Sequence, residues 1–121
     1  MKRFVEAWEA VEVRGLITLL ADDALLTMPP EPMRIVGAEA IGEFFSTVPA
    51  EGNLERIRLV PTAANRQPAL AAYWAEQPGD PFRAYGVMVF AFESDRTVGI
   101  TGFAGYPQLL PALGLSEELE A

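Results

Sequence analysis

The sequence predicts an α+β fold in a single domain spanning residues 1–121, on three observations. Apolar residues recur at helical spacing only ahead of Pro49, and after the turn Pro49-Ala-Glu-Gly-Asn53 the period drops to two. From Phe82 to Gly105, two long apolar runs are joined by the short polar link Glu93-Ser94-Asp95-Arg96, the pattern of a β-hairpin. Along its first run Arg83, Tyr85, Val87, Val89 and Ala91 alternate with Ala84, Gly86, Met88, Phe90 and Phe92, so neither face is polar. Such a sheet must be covered on much of both sides, and helices segregated ahead of consecutive strands favour α+β over a parallel βαβ arrangement.

Taken in order, Phe4, Val5, Trp8 and Val11 recur near a helical period with Glu6, Glu9 and Glu12 between them, which predicts an amphipathic helix from Lys2 to Val13. Gly15 punctuates, and Leu16, Ile17, Leu19 and Leu20 form a short second helix ending at Ala21-Asp22-Asp23. Ala24 to Met28 reads as a short strand stopped by Pro29-Pro30, and Pro32 keeps the following crossing stiff. Arg34 to Val36 is a further short strand, and Gly37 opens a third helix from Ala38 to Thr47 with an apolar stripe of Ile41, Phe44 and Phe45. Leu54 to Ala64 alternates as a strand, with Glu55, Ile57 and Leu59 opposite Arg56, Arg58, Val60 and Thr62. Asn65-Arg66-Gln67 is a turn, in which Asn65 tolerates positive φ cheaply, and Pro68 to Glu76 returns as a strand carrying Tyr73 and Trp74. Gln77-Pro-Gly-Asp-Pro81 leads into the hairpin, completing an antiparallel meander. Tyr106 to Leu115 closes as a short helix or turn, and Ser116 to Ala121 is expected to fray as an acidic tail.

Composition excludes several function classes. At 121 residues and 50% apolar, the chain can bury a core without metal or disulfide staples. It has no cysteine and no histidine, so thiolate nucleophiles, imidazole bases and the usual zinc ligands are all missing, and no cofactor is implied. A formal charge of -8 opposes direct binding to nucleic acid. The amphipathic, acidic start is not a signal peptide, and no apolar run approaches the roughly 20 residues of a membrane span, so a cytoplasmic location is expected.

Several phrases carry a resemblance: Phe4-Val-Glu-Ala-Trp8, Leu19-Leu-Ala-Asp-Asp-Ala24, Thr27-Met-Pro-Pro30, Val60-Pro-Thr62 with Ala64-Asn65 and Gln67-Pro-Ala69, and Leu113-Gly-Leu115. Together with the order of helix pair, short strand, third helix and meander, they resemble the SnoaL-like domains of the nuclear transport factor 2 (NTF2) and ketosteroid isomerase superfamily. The phrases are most similar to the SnoaL-like domain fused to the C-terminus of one group of extracytoplasmic-function RNA polymerase sigma factors. The resemblance implies a cone-shaped fold, a curved antiparallel sheet packed on the N-terminal helices. No sigma region precedes Phe4, so the chain is expected to be an excised domain or a stand-alone relative. Arg66 stands where these relatives tend to carry Gly, which predicts a turn of another type, and Tyr85 stands where they often carry His.

The same resemblance bears on catalysis. Epoxide hydrolases of the superfamily carry Arg-x-Asp on the first long strand and a second Asp on the last. Here Glu55-Arg-Ile-Arg58 retains Arg56 but puts Arg58 in place of the acid, and Phe103 falls near the second position. Both water-activating and epoxide-protonating carboxylates are thereby lost. Ketosteroid isomerase combines a carboxylate base with a Tyr and a protonated Asp in an apolar cavity, an arrangement well established for that enzyme. This chain offers Tyr73 or Tyr85 with no evident acid, since Asp22, Asp23, Glu93 and Asp95 fall at a helix end and in a turn. The reading is a noncatalytic, regulatory pocket or docking domain; the alternative is a small cyclase or isomerase. The candidate ligand-binding residues are Trp8, Met28, Arg56, Arg58, Tyr73, Tyr85 and Phe103, the arginines for an anionic ligand group and the rest for an apolar cavity. Expected partners are an apolar small molecule or a hydrophobic partner surface. Assembly is expected as a homodimer through the outer sheet face, or as intramolecular contact with sigma regions in a longer chain.

Overall fold

The helix-then-meander order holds in a computed structural model of the chain, which describes residues 2–64, 66–77, 79–105 and 107–119. Helices α1 (Lys2–Glu9) and α2 (Val13–Thr18) precede strand β1 (Leu20–Thr27). Strand β2 (Arg34–Val36) and helix α3 (Ala38–Thr47) follow, and two 3-10 turns, Pro49–Gly52 and Leu54–Arg56, lead into the sheet. The meander is β3 (Ile57–Ala64), β4 (Gln67–Trp74), β5 (Phe82–Glu93) and β6 (Arg96–Ala104), and the chain closes with helix α4 (Leu109–Ala112) and strand β7 (Glu118–Leu119). The strands form one curved, unclosed sheet in the order β2-β1-β6-β5-β4-β3, with β7 on β5. The turn role of Asn65, Pro78 in the next turn, the Tyr106 start of the last helix and the end of the tail at 120–121 lie outside the described residues.

Four expectations are corrected. The first helix stops at Glu9, because Val11 takes φ 55 and the Glu12 amide turns back to donate to the Ala7 carbonyl at 2.8 Å. Gly15, expected as the break, instead lies inside α2, where a Cβ would stand 3.3 Å from the Ala7 Cβ; its bareness lets the two helices approach. Secondly, Ala21-Asp22-Asp23 is strand rather than helix end. Leu20 pairs with Thr97 and Leu25 with Gly99, and the Thr97 amide donates to the Leu19 carbonyl at 3.0 Å, so pairing with β6 on either side carries the strand through the two aspartates, where the register shifts. That pairing is parallel, which makes the sheet mixed although the meander itself is antiparallel. Thirdly, Leu54–Arg56 is a 3-10 turn ahead of β3. Lastly, the described part of the tail is docked: the Ala84 amide donates to Glu117 at 2.8 Å, and Phe82 and Arg83 pair with Leu119 and Glu118.

Strand register separates two cores. On the concave side, Leu59, Ala72 and Gly86 stand in register, and Leu70, Met88, Phe90, Ile100 and Leu26 pack against Phe4, Trp8, Leu16, Ile41 and Phe45 of the helices. On the convex side, Ala69, Ala71, Tyr73 and Val87 are covered by Leu109, Leu110, Leu113, Leu115 and Leu119 of the C-terminal segment. Both faces of β4 and β5 are apolar, as the hairpin pattern requires: helices cover one face, and the chain's own C-terminal segment, not expected from the sequence, covers part of the other. No helix among the described residues is long and apolar enough to cross a membrane.

Candidate functional site

The concave core is not filled to the mouth of the cone. Two glycines facing each other's strands, Gly86 on β5 and Gly102 on β6, remove side chains from the sheet wall, and a cavity of about 140 Å³ opens there. Its floor and sheet wall include Leu26, Met28, Ile57, Leu59, Ala72 and Met88, and its helical wall is Trp8, Phe44 and Phe45. Val48, Pro49, Tyr85 and Val87 are the other described lining residues, and Val48 and Tyr85 are exposed, at 55% and 38%, so they mark the mouth.

Each wall has a local cause. Trp8 is brought inward by the apolar stripe of α1, ringed by Phe4 at 6.1 Å and Phe45 at 5.2 Å between ring centroids, and only 2% of it is exposed. Tyr85 reaches the mouth through a β-bulge. Ala72 pairs with Gly86 and Tyr73 with Ala84, which leaves Tyr85 as the extra residue on β5, its ring 6.1 Å from that of Trp74. Met28 follows β1 and lies against Gly102, where a Cβ would meet its Cγ at 3.4 Å. Beyond Met28, Pro29-Pro30 is joined by a cis peptide.

Of the residues named from sequence, Trp8, Met28 and Tyr85 line this cavity, while Arg56, Arg58, Tyr73 and Phe103 lie elsewhere. Tyr73 pairs with Arg58 and Ala84 on the convex face, is 1% exposed, and donates its hydroxyl to the Ser116 carbonyl at 2.7 Å. Burial pushes its phenol above the usual value of 10.0. Arg58, on the same face, places its guanidinium 4.5 Å over the Phe82 ring. Arg56 is held at the sheet end, donating to the carbonyls of Ala75 (3.0 Å) and Glu76, with Trp74 at 5.5 Å. Phe103 pairs with Val87, which puts it on the convex face. The arginines are thus tied to the sheet end and the outer face rather than aimed at a ligand in the cone.

The reading from sequence missed Gly86 and Gly102, whose signal was an absence of side chain, and Leu26, Ile57, Leu59 and Met88, which read as ordinary core. Among the described residues, no carboxylate or cationic group lines the cavity, and the Tyr85 hydroxyl stands at its mouth. Among the described residues, no cluster of three or more carboxylates is placed to hold a metal ion.

Comparisons with known proteins agree with this architecture. The sequence profile of the SnoaL-like domain matches residues 1–100. The extracytoplasmic-function RNA polymerase sigma factor SigG of Mycobacterium tuberculosis is 29% identical over 119 residues, an alignment covering 98% of this chain and 31% of the sigma factor. The chain therefore spans about a third of that relative's length. Among solved structures, an NTF2-like protein of Burkholderia xenovorans superposes with a TM-score of 0.67 at 14% identity, covering 86% of this chain and 78% of the other. A candidate ketosteroid isomerase of Kribbella flavida superposes with a TM-score of 0.64 at 18% identity, covering 85% and 73%. With the helix pair, the meander and the cone all in place, the chain belongs to the SnoaL-like domain family, on the NTF2-like fold.

Proposed function

We propose that this domain binds a compact apolar molecule, or an apolar side chain of a partner, without chemically changing it, and that occupancy of the cone serves regulation. The observation that carries this reading is the chemistry of the cavity wall: among the described residues it is aliphatic, aromatic and thioether groups with the Tyr85 hydroxyl at the mouth, and no carboxylate or cationic side chain. Apolar burial at about 25 cal/mol per Å² favours occupancy, whereas general acid–base catalysis, worth about 10²–10⁴-fold, needs a proton carrier within hydrogen-bond reach. A cavity of about 150 Å³ elsewhere takes up benzene, so the 140 Å³ here suits a molecule of one ring. For about seven heavy atoms at about 0.5–1 kcal/mol each, Kd falls in the millimolar to micromolar range. Kinship with a sigma factor supports a role in transcription regulation, with the filled or empty cone altering contact with sigma regions in the same or another chain, in the cytoplasm.

A cyclase or isomerase reading has one observation in its favour, the Tyr85 hydroxyl at the mouth, which could polarise a carbonyl. One experiment separates the two readings. Toluene binding is measured by calorimetry, and deuterium exchange into cyclohexanone is followed with wild type, Tyr85→Phe and the cavity-filling Ala72→Leu. Toluene binding that Ala72→Leu abolishes, with exchange at the buffer rate throughout, supports the pocket domain. Exchange well above buffer that Tyr85→Phe removes would establish the enzyme instead.

A further inference from the structure

Phe4 packs its ring on Trp8 and Phe45 of the cone wall, at centroid distances of 6.1 and 6.3 Å, and also borders a second hollow of about 490 Å³ that has no lining residue in common with the cone. This hollow opens between the first turn of α1, which supplies Lys2 and Arg3, and the end of the β5–β6 hairpin, which supplies Phe92, Asp95 and Thr97. Thr97 is the observation that points to a ligand. It is only 3% exposed, and its amide donates to the Leu19 carbonyl at 3.0 Å, while its hydroxyl has no hydrogen-bond partner. That hydroxyl is not sealed. Among the described residues, the Trp8 indole nitrogen is the single unpartnered side-chain polar atom of the interior without accessible surface, so the small surface Thr97 keeps includes its hydroxyl oxygen, and it opens on the hollow that Thr97 lines. Val has the same shape and would fill the position with nothing left unpaired. Around Thr97, charges of both signs line the hollow without meeting. Lys2, Arg3 and Asp95 have no ion-pair partner among the described residues. The first N–H groups of α1 lack intrahelical acceptors, and its first turn holds no acidic residue. Phe92, 41% exposed and stacked on Phe90 with centroids 6.1 Å apart, makes an apolar side with Phe4 and Leu19.

From this we infer that the hollow is a second binding site, and that its ligand is a free α-amino acid with an apolar side chain. The carboxylate is matched by Lys2, Arg3 and the positive end of α1, the ammonium by Asp95, and the side chain by Phe92, Phe4 and Leu19. The Thr97 hydroxyl, both a donor and an acceptor, serves the charged end of the ligand. A plain anion would be repelled by Asp95 and a plain cation by Lys2 and Arg3, so a wall carrying both signs selects a zwitterion. The volume lies within the range of about 300–1,000 Å³ usual for small-molecule sites. Because the hollow and the cone have separate linings, this site stands whether or not the cone is ever occupied.

The test titrates three probes into the whole chain: L-phenylalanine, 3-phenylpropionate, which lacks the ammonium, and phenethylamine, which lacks the carboxylate. Affinity is read from proton–nitrogen spectra at the Phe92, Asp95 and Thr97 amides, with the Gly86 and Gly102 amides reporting on the cone. L-phenylalanine is expected to shift the first set and not the second, and to bind about fivefold tighter than either of the other probes. Thr97→Val, which keeps the shape and removes the hydroxyl, should weaken L-phenylalanine about tenfold. Asp95→Asn should abolish the preference for L-phenylalanine over 3-phenylpropionate. If Thr97→Val fails to fold, the ranking of the probes on the wild type and their site-resolved shifts decide alone. 3-Phenylpropionate binding as tightly as L-phenylalanine, or full affinity retained in Thr97→Val, overturns the assignment. So does the absence of any shift at Phe92, Asp95 and Thr97 with about 10 mM amino acid.

Discussion

Tyr73 and Arg66 show how a single side chain's meaning depends on its strand partner. Tyr73 was a cavity candidate from its sequence neighbourhood, yet its hydroxyl holds the Ser116 carbonyl at 2.7 Å on the convex face. Tyr73→Phe should therefore lower stability by about 0.5–1.5 kcal/mol, read from the urea midpoint, and leave ligand binding in the cone unchanged. Its raised phenol also fixes a pH dependence. The folded state holds the proton above pH 10.0 while the unfolded chain releases it, so this contribution is intact below pH 10.0 and is lost as pH climbs toward the folded value. Urea midpoints at pH 9 and pH 11 should accordingly differ more for wild type than for Tyr73→Phe. Arg66 takes φ 66, so the turn into β4 has the left-handed backbone that glycine favours even though Arg occupies the position. That conformation costs a non-glycine residue about 1–2 kcal/mol, partly offset by glycine's greater freedom when unfolded. Arg66→Gly should raise stability by about 0.5–1 kcal/mol; a lowered denaturation midpoint would show that the Arg side chain makes up for its strain.

At the scale of elements, legibility followed the strength of periodic signals. Helix α3 and strand β2 were readable to the residue, because Gly37 with φ 103 and the stripe of Ile41, Phe44 and Phe45 leave one interpretation. Strand β4 was readable as a strand but not as to face, since Ala69 through Ala75 is apolar without interruption apart from the Tyr hydroxyl. Only pairing with β3, where Ile57 and Leu59 are buried and Arg58 is exposed, sends Tyr73 outward. The bulge at Tyr85 was missed although Gly86 follows it directly, a residue type that within a strand often marks a bulge, and it reverses the alternation along β5. The docked C-terminal strand was missed because its acidic composition conceals Leu113, Leu115 and Leu119, which cover Tyr73 and Val87. One element bears directly on the cavity mouth. The 3-10 turn after α3 holds Val48 and Pro49 at the rim and ends at Gly52, where φ is 89 and a Cβ would overlap the Ser46 carbonyl oxygen. Gly52→Ala should destabilise the chain by about 1–3 kcal/mol and weaken toluene binding by disturbing the rim. Unchanged denaturation and affinity would show that the turn relaxes without moving Val48.

For the whole molecule, the question is which surface remains for a partner once the chain has covered itself. The C-terminal segment occupies the convex face over β4 and the middle of β5, so that part cannot serve a second copy without first being uncovered. The remainder lies on β2, β1 and β6. There Val36 pairs with Leu25, Leu25 with Gly99 and Gly99 with Ala91, while Thr101 pairs with Val89 and Phe103 with Val87. The register puts these residues on one face; Val36 is 60% exposed and Leu25, Val89 and Phe103 are partly so. An apolar strip of this kind is what a symmetric dimer of sheets would bury, and it is separate from the mouth of the cone, so assembly and ligand binding need not compete. Opposing it is a formal charge of -8 on each copy, a repulsion that added salt screens. The full chain is expected to sediment as a dimer at high micromolar concentration, more completely at 0.5 M salt than at 0.05 M. Phe103→Glu, which sets a carboxylate in the strip, should give monomer under both conditions while preserving toluene binding. Wild type that stays monomeric at both salt concentrations would remove the dimer, and a Phe103→Glu dimer of undiminished stability would move the interface elsewhere.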